Sequence, residues 1–119
     1  MRFLMMVKID PGADRGEVRR SDLNAMDEYN QALRDAGALV AVDGLRDSSH
    51  GSRVTFEDGG AVVKDGPFTE SKELVAGFWI LELGSHTEAI EWAKRIPFAN
   101  GEGVEIRQIA EDSDFENIK

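Results

Sequence analysis

Asp65, Lys72 and Glu73 are the residues of this chain best placed to do chemistry. They belong to "KDGPFTESKEL", residues 64–74, in which Glu70, Lys72 and Glu73 fall within four residues of one another. A carboxylate held at a strand end by a rigid turn can act as a base or as a ligand to a bound molecule. A lysine over a cleft can bind an anionic substrate, or act as a base if desolvation lowers its pKa. The same letters also have an ordinary structural reading. Asp65 before Gly66 suits a turn whose side chain bonds the backbone two residues on. Pro67 has no N–H, so a strand ladder must end there. Charges behind a turn are ordinarily solvated, and both readings stay open from the residues alone.

His50 and His86 are the two imidazoles. His86 falls in the first turn of an expected helix, where the helix dipole disfavours a cation, and reads as a surface residue. His50 lies in the Ser/Gly-rich "LRDSSHGS", residues 45–52. Loops of that kind carry binding sites, although a plain loop residue is the competing reading. Two histidines so far apart, with no cysteine, offer no metal-ligand spacing. The absence of cysteine also excludes disulfides, thiolate sites and a Cys nucleophile. Gly101-Glu102-Gly103 is flanked by no strand-to-helix transition, so it is no phosphate cradle. The sequence therefore calls for no metal and no cofactor. Among the aromatics, Phe68, Phe78, Trp79 and Trp92 suit a core. Trp79 or Phe78 could instead line an apolar pocket on an outward sheet face, with Met26 and Tyr29 reaching it from the first helix. The candidate ligand-binding set is Met26, Tyr29, His50, Phe68 and Trp79, beside the catalytic candidates Asp65, Lys72 and Glu73.

The elements that must position these residues follow from periodicity. "FLMMVKI" (3–9) alternates, with Phe3, Met5, Val7 and Ile9 on one face and the half-apolar Leu4, Met6, Lys8 on the other. Residues 22–36 predict a helix capped by Ser21, with Leu23, Met26, Tyr29 or Asn30, and Leu33 as its buried stripe. Gly37 suits the left-handed position after it. "ALVAV" (38–42) is a short strand. "RVTF" (53–56) and "AVVK" (61–64) flank "EDGG" as a hairpin. "GFWILEL" (77–83) is apolar on both faces and predicts a central strand. Ser85-His86-Thr87-Glu88 is a capping box. It opens a helix to about Arg95, with Ala89, Ile90, Ala93 and Ile96 inward and Pro97 as its stop. "VEIRQIA" (104–110) is the last strand, and the acidic tail at about 111–119 reads as loosely held.

Removing the hairpin leaves two βαβ halves, the α+β, ferredoxin-like split βαβ arrangement with both helices on one sheet face. Leu4, Met6 and one side of "FWILEL" then need a cover on the other face. A second copy packing sheet to sheet would supply it, which predicts a homodimer with a barrel-like interface.

Size and charge bound the rest. The 119 residues, 41% hydrophobic, fit a single domain spanning 1–119 with one modest core. Lys plus Arg is 14 and Asp plus Glu is 23, for a net charge of −9. Phosphate backbones repel such a surface, and the one dense basic patch (Arg15, Arg19, Arg20) is interleaved with Asp14, Glu17 and Asp22. Direct nucleic-acid binding is disfavoured. "MRFLMMVKID" is too short an apolar run for a secretion signal or a span, so the expectation is a cytoplasmic protein away from the membrane.

"VVKDGPFTESKELVAGFWILEL", followed by "EAIEWAKRIP" and a final "VEIRQI", resembles the DGPF-type proteins of the YCII-related superfamily. The resemblance runs from "RFLMMV" through "IRQI". It implies a dimeric α/β-barrel of the ferredoxin-like class. It also implies kinship with proteins thought to act on small cyclic organic molecules through a His–Asp pair. Laid on that pattern, this chain has Met26 at the His position and Ile96 at the Asp position. A thioether and an alkyl chain cannot exchange protons. The resemblance further implies an association with extracytoplasmic-function sigma factors. Two functional readings follow. One is a small homodimer that binds an organic ligand in a cleft shaped by the sheet, the first helix and the 65–72 loop, with proton-transfer or elimination chemistry. The other is a non-catalytic regulatory module.

Overall fold

A computed structural model of the chain describes residues 1–13, 20–98 and 101–116. Its elements are β1 (Arg2–Ile9), α1 (Arg20–Asp35), β2 (Leu39–Gly44), β3 (Ser52–Glu57), β4 (Gly60–Asp65), β5 (Leu74–Glu82), α2 (His86–Lys94) and β6 (Gly103–Gln108). Short 3₁₀ turns occupy Pro11–Ala13, Ser48–His50 and Asp112–Phe115. Four strands form an antiparallel sheet in the order β2-β5-β1-β6, while β3 and β4 pair only with each other. That order is the ferredoxin-like one expected from the two βαβ halves, with the hairpin inserted between them.

The core lies between the sheet and both helices. Phe3, Met5 and Val7 of β1 and Trp79 and Leu81 of β5 are buried, and Tyr29 and Leu33 of α1 and Ala89 of α2 close over that side. A Phe, Met, Val or Leu side chain among these, fully buried, contributes about 1.5–3 kcal/mol. β5 is central, as its two apolar faces predict. Leu4, Met6, Phe78 and Ile80 share the opposite face, where Leu4 pairs with Ile80 and Met6 with Phe78, and all four are half-buried. Of Trp79 and Phe78, therefore, Phe78 is the one turned away from the helices.

Local chemistry sets the boundaries. α1 ends in a Schellman motif: Ala38 N–H bonds the Leu33 carbonyl, Gly37 N–H bonds the Arg34 carbonyl, and Gly37 takes φ +70°. Its start differs from expectation. Arg20 is already helical, so Ser21 lies inside the first turn rather than capping it. Leu23 is exposed and outside the stripe. Ser85 caps α2 by accepting from Glu88 N–H, but Glu88 reaches back to Gly84 N–H instead of to Ser85. Ile90, expected inward, is on the exposed side. The tail is better anchored than its composition predicts, because Arg2 donates two hydrogen bonds to Glu111 at 3.1 and 3.3 Å. Asp14, Arg15, Glu17 and Arg19 of the charged segment, and Ile118 of the tail, lie outside the described residues. No helix among the described residues is long and apolar enough to cross a membrane.

The β3–β4 hairpin is the outlier. Every one of its residues is exposed. Its register pairs Val54 with Val63 and Phe56 with Ala61, which sets these four on one face. Arg53 and Lys64 pair on the other face. The described residues have a radius of gyration of 16.7 Å and extents of 48 × 47 × 19 Å. A compact chain of this length would have a radius of about 13.5 Å.

Candidate functional site

The Asp-Gly-Pro-Phe turn is built against the loop that precedes the hairpin. Asp65 is the last ladder partner of Ser52 and accepts a hydrogen bond from its Oγ at 2.7 Å, instead of turning to the backbone ahead. Gly66 N–H bonds the Gly51 carbonyl at 2.9 Å. A Cβ on Gly66 would come 1.7 Å from the Ser48 carbonyl oxygen, so only glycine fits without moving that loop. The Gly66–Pro67 peptide bond is cis. Phe68 N–H then bonds Ser48 Oγ at 3.1 Å. The Ser48–His50 turn is itself held by Asp47, whose carboxylate accepts from Ser49 N–H at 3.0 Å and from the Ser49 hydroxyl. Phe68 is buried as a result, with the Arg53 guanidinium 3.9 Å above its ring centroid.

This construction opens a cleft of about 440 Å³ at the hairpin base. Its apolar wall is Leu45, Phe68, Leu74 and Val75, and Arg46, His50 and Arg53 also line it. Glu70 stands at its rim. A hydrogen bond from Lys64 holds the Glu70 carboxyl below the ordinary carboxylate range, and Arg53, 3.5 Å away, adds to the effect.

A second, smaller cleft of about 210 Å³ is lined by residues of β2 and β5. Met26, Val42, Asp43, Trp79 and Phe98 are among its lining residues. Trp79 is fixed by donating from Nε1 to the Oδ1 of the buried Asn30 at 2.8 Å. Tyr29 lies behind it, edge-on to Trp79 and Trp92 at 5.7 and 6.1 Å, and donates to the Trp92 carbonyl at 2.8 Å. Burial pushes its hydroxyl up to about 12, against a smaller opposing pull from Arg95. Ile96 is buried in the same core as Tyr29 and Trp79. The region around Met26 and Ile96 is thus packed with apolar groups.

The candidates read from the sequence therefore divide three ways. His50 and Phe68 line the larger cleft, and Met26 and Trp79 line the smaller. Tyr29 supports Trp79 from the core. Asp65, Lys72 and Glu73 line neither cleft and are exposed. The single cleft expected between the sheet, the first helix and the 65–72 loop is two clefts. β2 and β5 separate what α1 builds from what the turn builds. Sequence reasoning missed Arg46 and Arg53. The available signal was two arginines bracketing a Ser/Gly loop in an otherwise acidic chain. Among the described residues there is no group of three His, Asp or Glu side chains arranged to hold a metal ion.

With this fold and these clefts in view, comparison with known proteins places the class. The chain belongs to the YCII-related domain family, whose model matches residues 1–113. An uncharacterised protein of Rhizobium meliloti (strain 1021) is 32% identical over 78 residues, which is 64% of this chain. The match spans 63% of that relative's length. Among solved structures, 5-chloro-2-hydroxyhydroquinone dehydrochlorinase from Burkholderia phenoliruptrix AC1100, in complex with 2,5-dihydroxybenzoquinone, superposes with a TM-score of 0.55. It is 19% identical, over 96% of this chain and 98% of that one, which is a likeness of fold.

Proposed function

We propose that this protein binds a small cyclic organic molecule in the cleft at the base of the hairpin. The observation that carries the reading is Arg53 stacked on the buried Phe68 ring, beside an apolar wall and His50. A concave apolar surface with a few convergent polar groups is the usual form of a small-molecule site. The dehydrochlorinase with the similar fold, solved with a dihydroxybenzoquinone, supports a ring-shaped ligand of that size. His50, the imidazole in the cleft lining, is the group there that would carry any proton transfer or elimination. In this reading Asp65 closes the hairpin base, and Lys72 and Glu73 act from the rim, on the loop leading into Leu74.

The test is a thermal-shift screen of hydroxyquinones, aromatic acids and lactones against wild type and Val75→Trp. Val75 lines the cleft and is 39% exposed, so a larger ring there blocks the cleft without invading the core. A ligand at about one hundred times its Kd stabilises the native state by about 2.7 kcal/mol. The shift should vanish in Val75→Trp, and a shift that survives would place binding elsewhere. No shift from any compound would favour the regulatory reading, a partner of an extracytoplasmic-function sigma factor.

The same reading has the protein working as a cytoplasmic homodimer. Two apolar faces support the dimer: the sheet face of Leu4, Met6, Phe78 and Ile80, and the hairpin face of Val54, Phe56, Ala61 and Val63. An isolated two-stranded hairpin is marginal in water, so a projecting one needs a cover. Phe56 is 84% exposed. Phe56→Asp should shift the species seen by sedimentation from dimer to monomer; a wild type that sediments as a monomer would remove the proposal.

A further inference from the structure

We propose that the hairpin-base cleft selects a planar, ring-bearing organic anion, with Arg53 passing from Glu70 to the ligand. This rests on the ligand reading above and adds the charge and the residue that recognises it.

Arg53 is placed but not neutralised. Its Nη2 donates to Ser71 Oγ at 2.7 Å. Its Nη1 lies 3.5 Å from Glu70 Oε1, close enough for attraction but long for a hydrogen bond. That same Oε1 accepts its hydrogen bond from Lys64 Nζ. One carboxylate is thus shared by two cations, and among the other lining residues Arg46 and Asp47 add one charge of each sign, which leaves this corner one positive charge in excess. In a chain with nine excess negative charges, this corner runs against the overall field.

The geometry favours one kind of anion. Guanidinium stays charged at any working pH and presents a planar fork of five N–H donors. The Phe68 ring beneath sets the plane of that fork before a ligand arrives. Ser71 takes one N–H at the edge of that plane and Glu70 stands off another, which leaves donors open. A neutral oxygen would leave the guanidinium less well compensated than a carboxylate or enolate, because charge-assisted bonds are roughly twice as strong. Leu45, Phe68, Leu74 and Val75 offer a ring-sized apolar wall, which suits an aromatic or cyclic body and not a polyhydroxylated one. As the ligand's charge approaches Arg53, Glu70 keeps its hydrogen bond to Lys64, so releasing Arg53 strands no carboxylate.

The experiment is calorimetric titration of wild type, Arg53→Gln and Glu70→Gln with four probes. Benzoate is paired with its neutral isostere benzamide, and the dimedone enolate with its neutral O-methyl ether. Each anion should bind wild type at least about tenfold more tightly than its neutral partner, or about 1.4 kcal/mol. The tighter of the two anions distinguishes a carboxylate ligand from an enolate one. Arg53→Gln should abolish that preference, so that each anion and its neutral partner bind alike. Glu70→Gln should tighten anion binding by removing the competitor, an effect that a purely structural Glu70 would not produce. Equal binding of anion and neutral partner by wild type would overturn charge selection and leave the cleft as a ligand site. Binding of none of the four would overturn both.

Discussion

The two clefts share no lining residue and are made in opposite ways. The smaller is an incompletely filled part of the core: Met26, Val42 and Trp79 line it because packing placed them there. Its polar anchor, Asn30 on Trp79, is buried and satisfied. The larger is a loop construction. Backbone bonds from Gly66 and Phe68 to Gly51 and Ser48 build it, and the exposed Arg46, His50 and Arg53 line it beside the buried Phe68 and Leu74. The difference teaches where function can change cheaply. A site carved from core loses stability whenever its residues change, whereas Arg46 or His50 can be exchanged with little cost to the fold. Met26 lines the smaller cleft, and Ile96 is buried in the core cluster against which Met26 packs.

The largest way to probe this contrast is Trp79→Ala. It removes a 2%-exposed ring and leaves the Asn30 oxygen buried without its donor. The expected loss is about 3–5 kcal/mol in urea unfolding. Arg46→Ala, in the other cleft, should stay within about 0.5 kcal/mol. Similar costs at both sites would erase the distinction.

Gly66→Ala comes next. The new methyl group must displace the Ser48 carbonyl, which belongs to backbone and yields poorly. A loss of about 1–3 kcal/mol is expected, together with a weakened ligand response, since Ser48 also holds Phe68. Unchanged ligand binding in a destabilised variant would show that the turn does not shape the cleft.

The smallest effect concerns Tyr29. Its hydroxyl is raised from 10.0 to about 12, mainly by burial. The unfolded chain therefore ionises first. Stability contributed by the neutral hydroxyl is complete below pH 10.0 and is lost as pH rises toward about 12. Tyr29→Phe should be less stable near neutrality, lacking the bond to Trp92, and should show a flatter alkaline limb in pH-dependent melting. A wild type with no alkaline loss that this variant removes would mean that Tyr29 is not the group held neutral by the core.

Much of the scaffold was legible in the residues. The alternation in β1 put Phe3, Met5 and Val7 inside; Gly37 marked the end of α1; Ser85 marked the start of α2. Each signal is local, set by a pleat of period two, a left-handed φ or one cap. The start of α1 was misread because a serine one position inside a helix looks like a cap when the preceding residues give no contrary signal. The site was less legible. Glu70, Lys72 and Glu73 are neighbours in sequence, yet none of them lines either cleft. Arg53 and Phe68, fifteen positions apart, are stacked.

The sequence by itself determined the element order, the class of fold and the hairpin, because these depend on residue type and short-range period. Only the tertiary structure decided that the hairpin would stand as its own sheet and that the expected single cleft would be two. It also decided that Arg53 would lie over Phe68. Those facts depend on how the 66–68 turn packs against Ser48 across the hairpin, a contact between segments whose spacing along the chain carries no period to read.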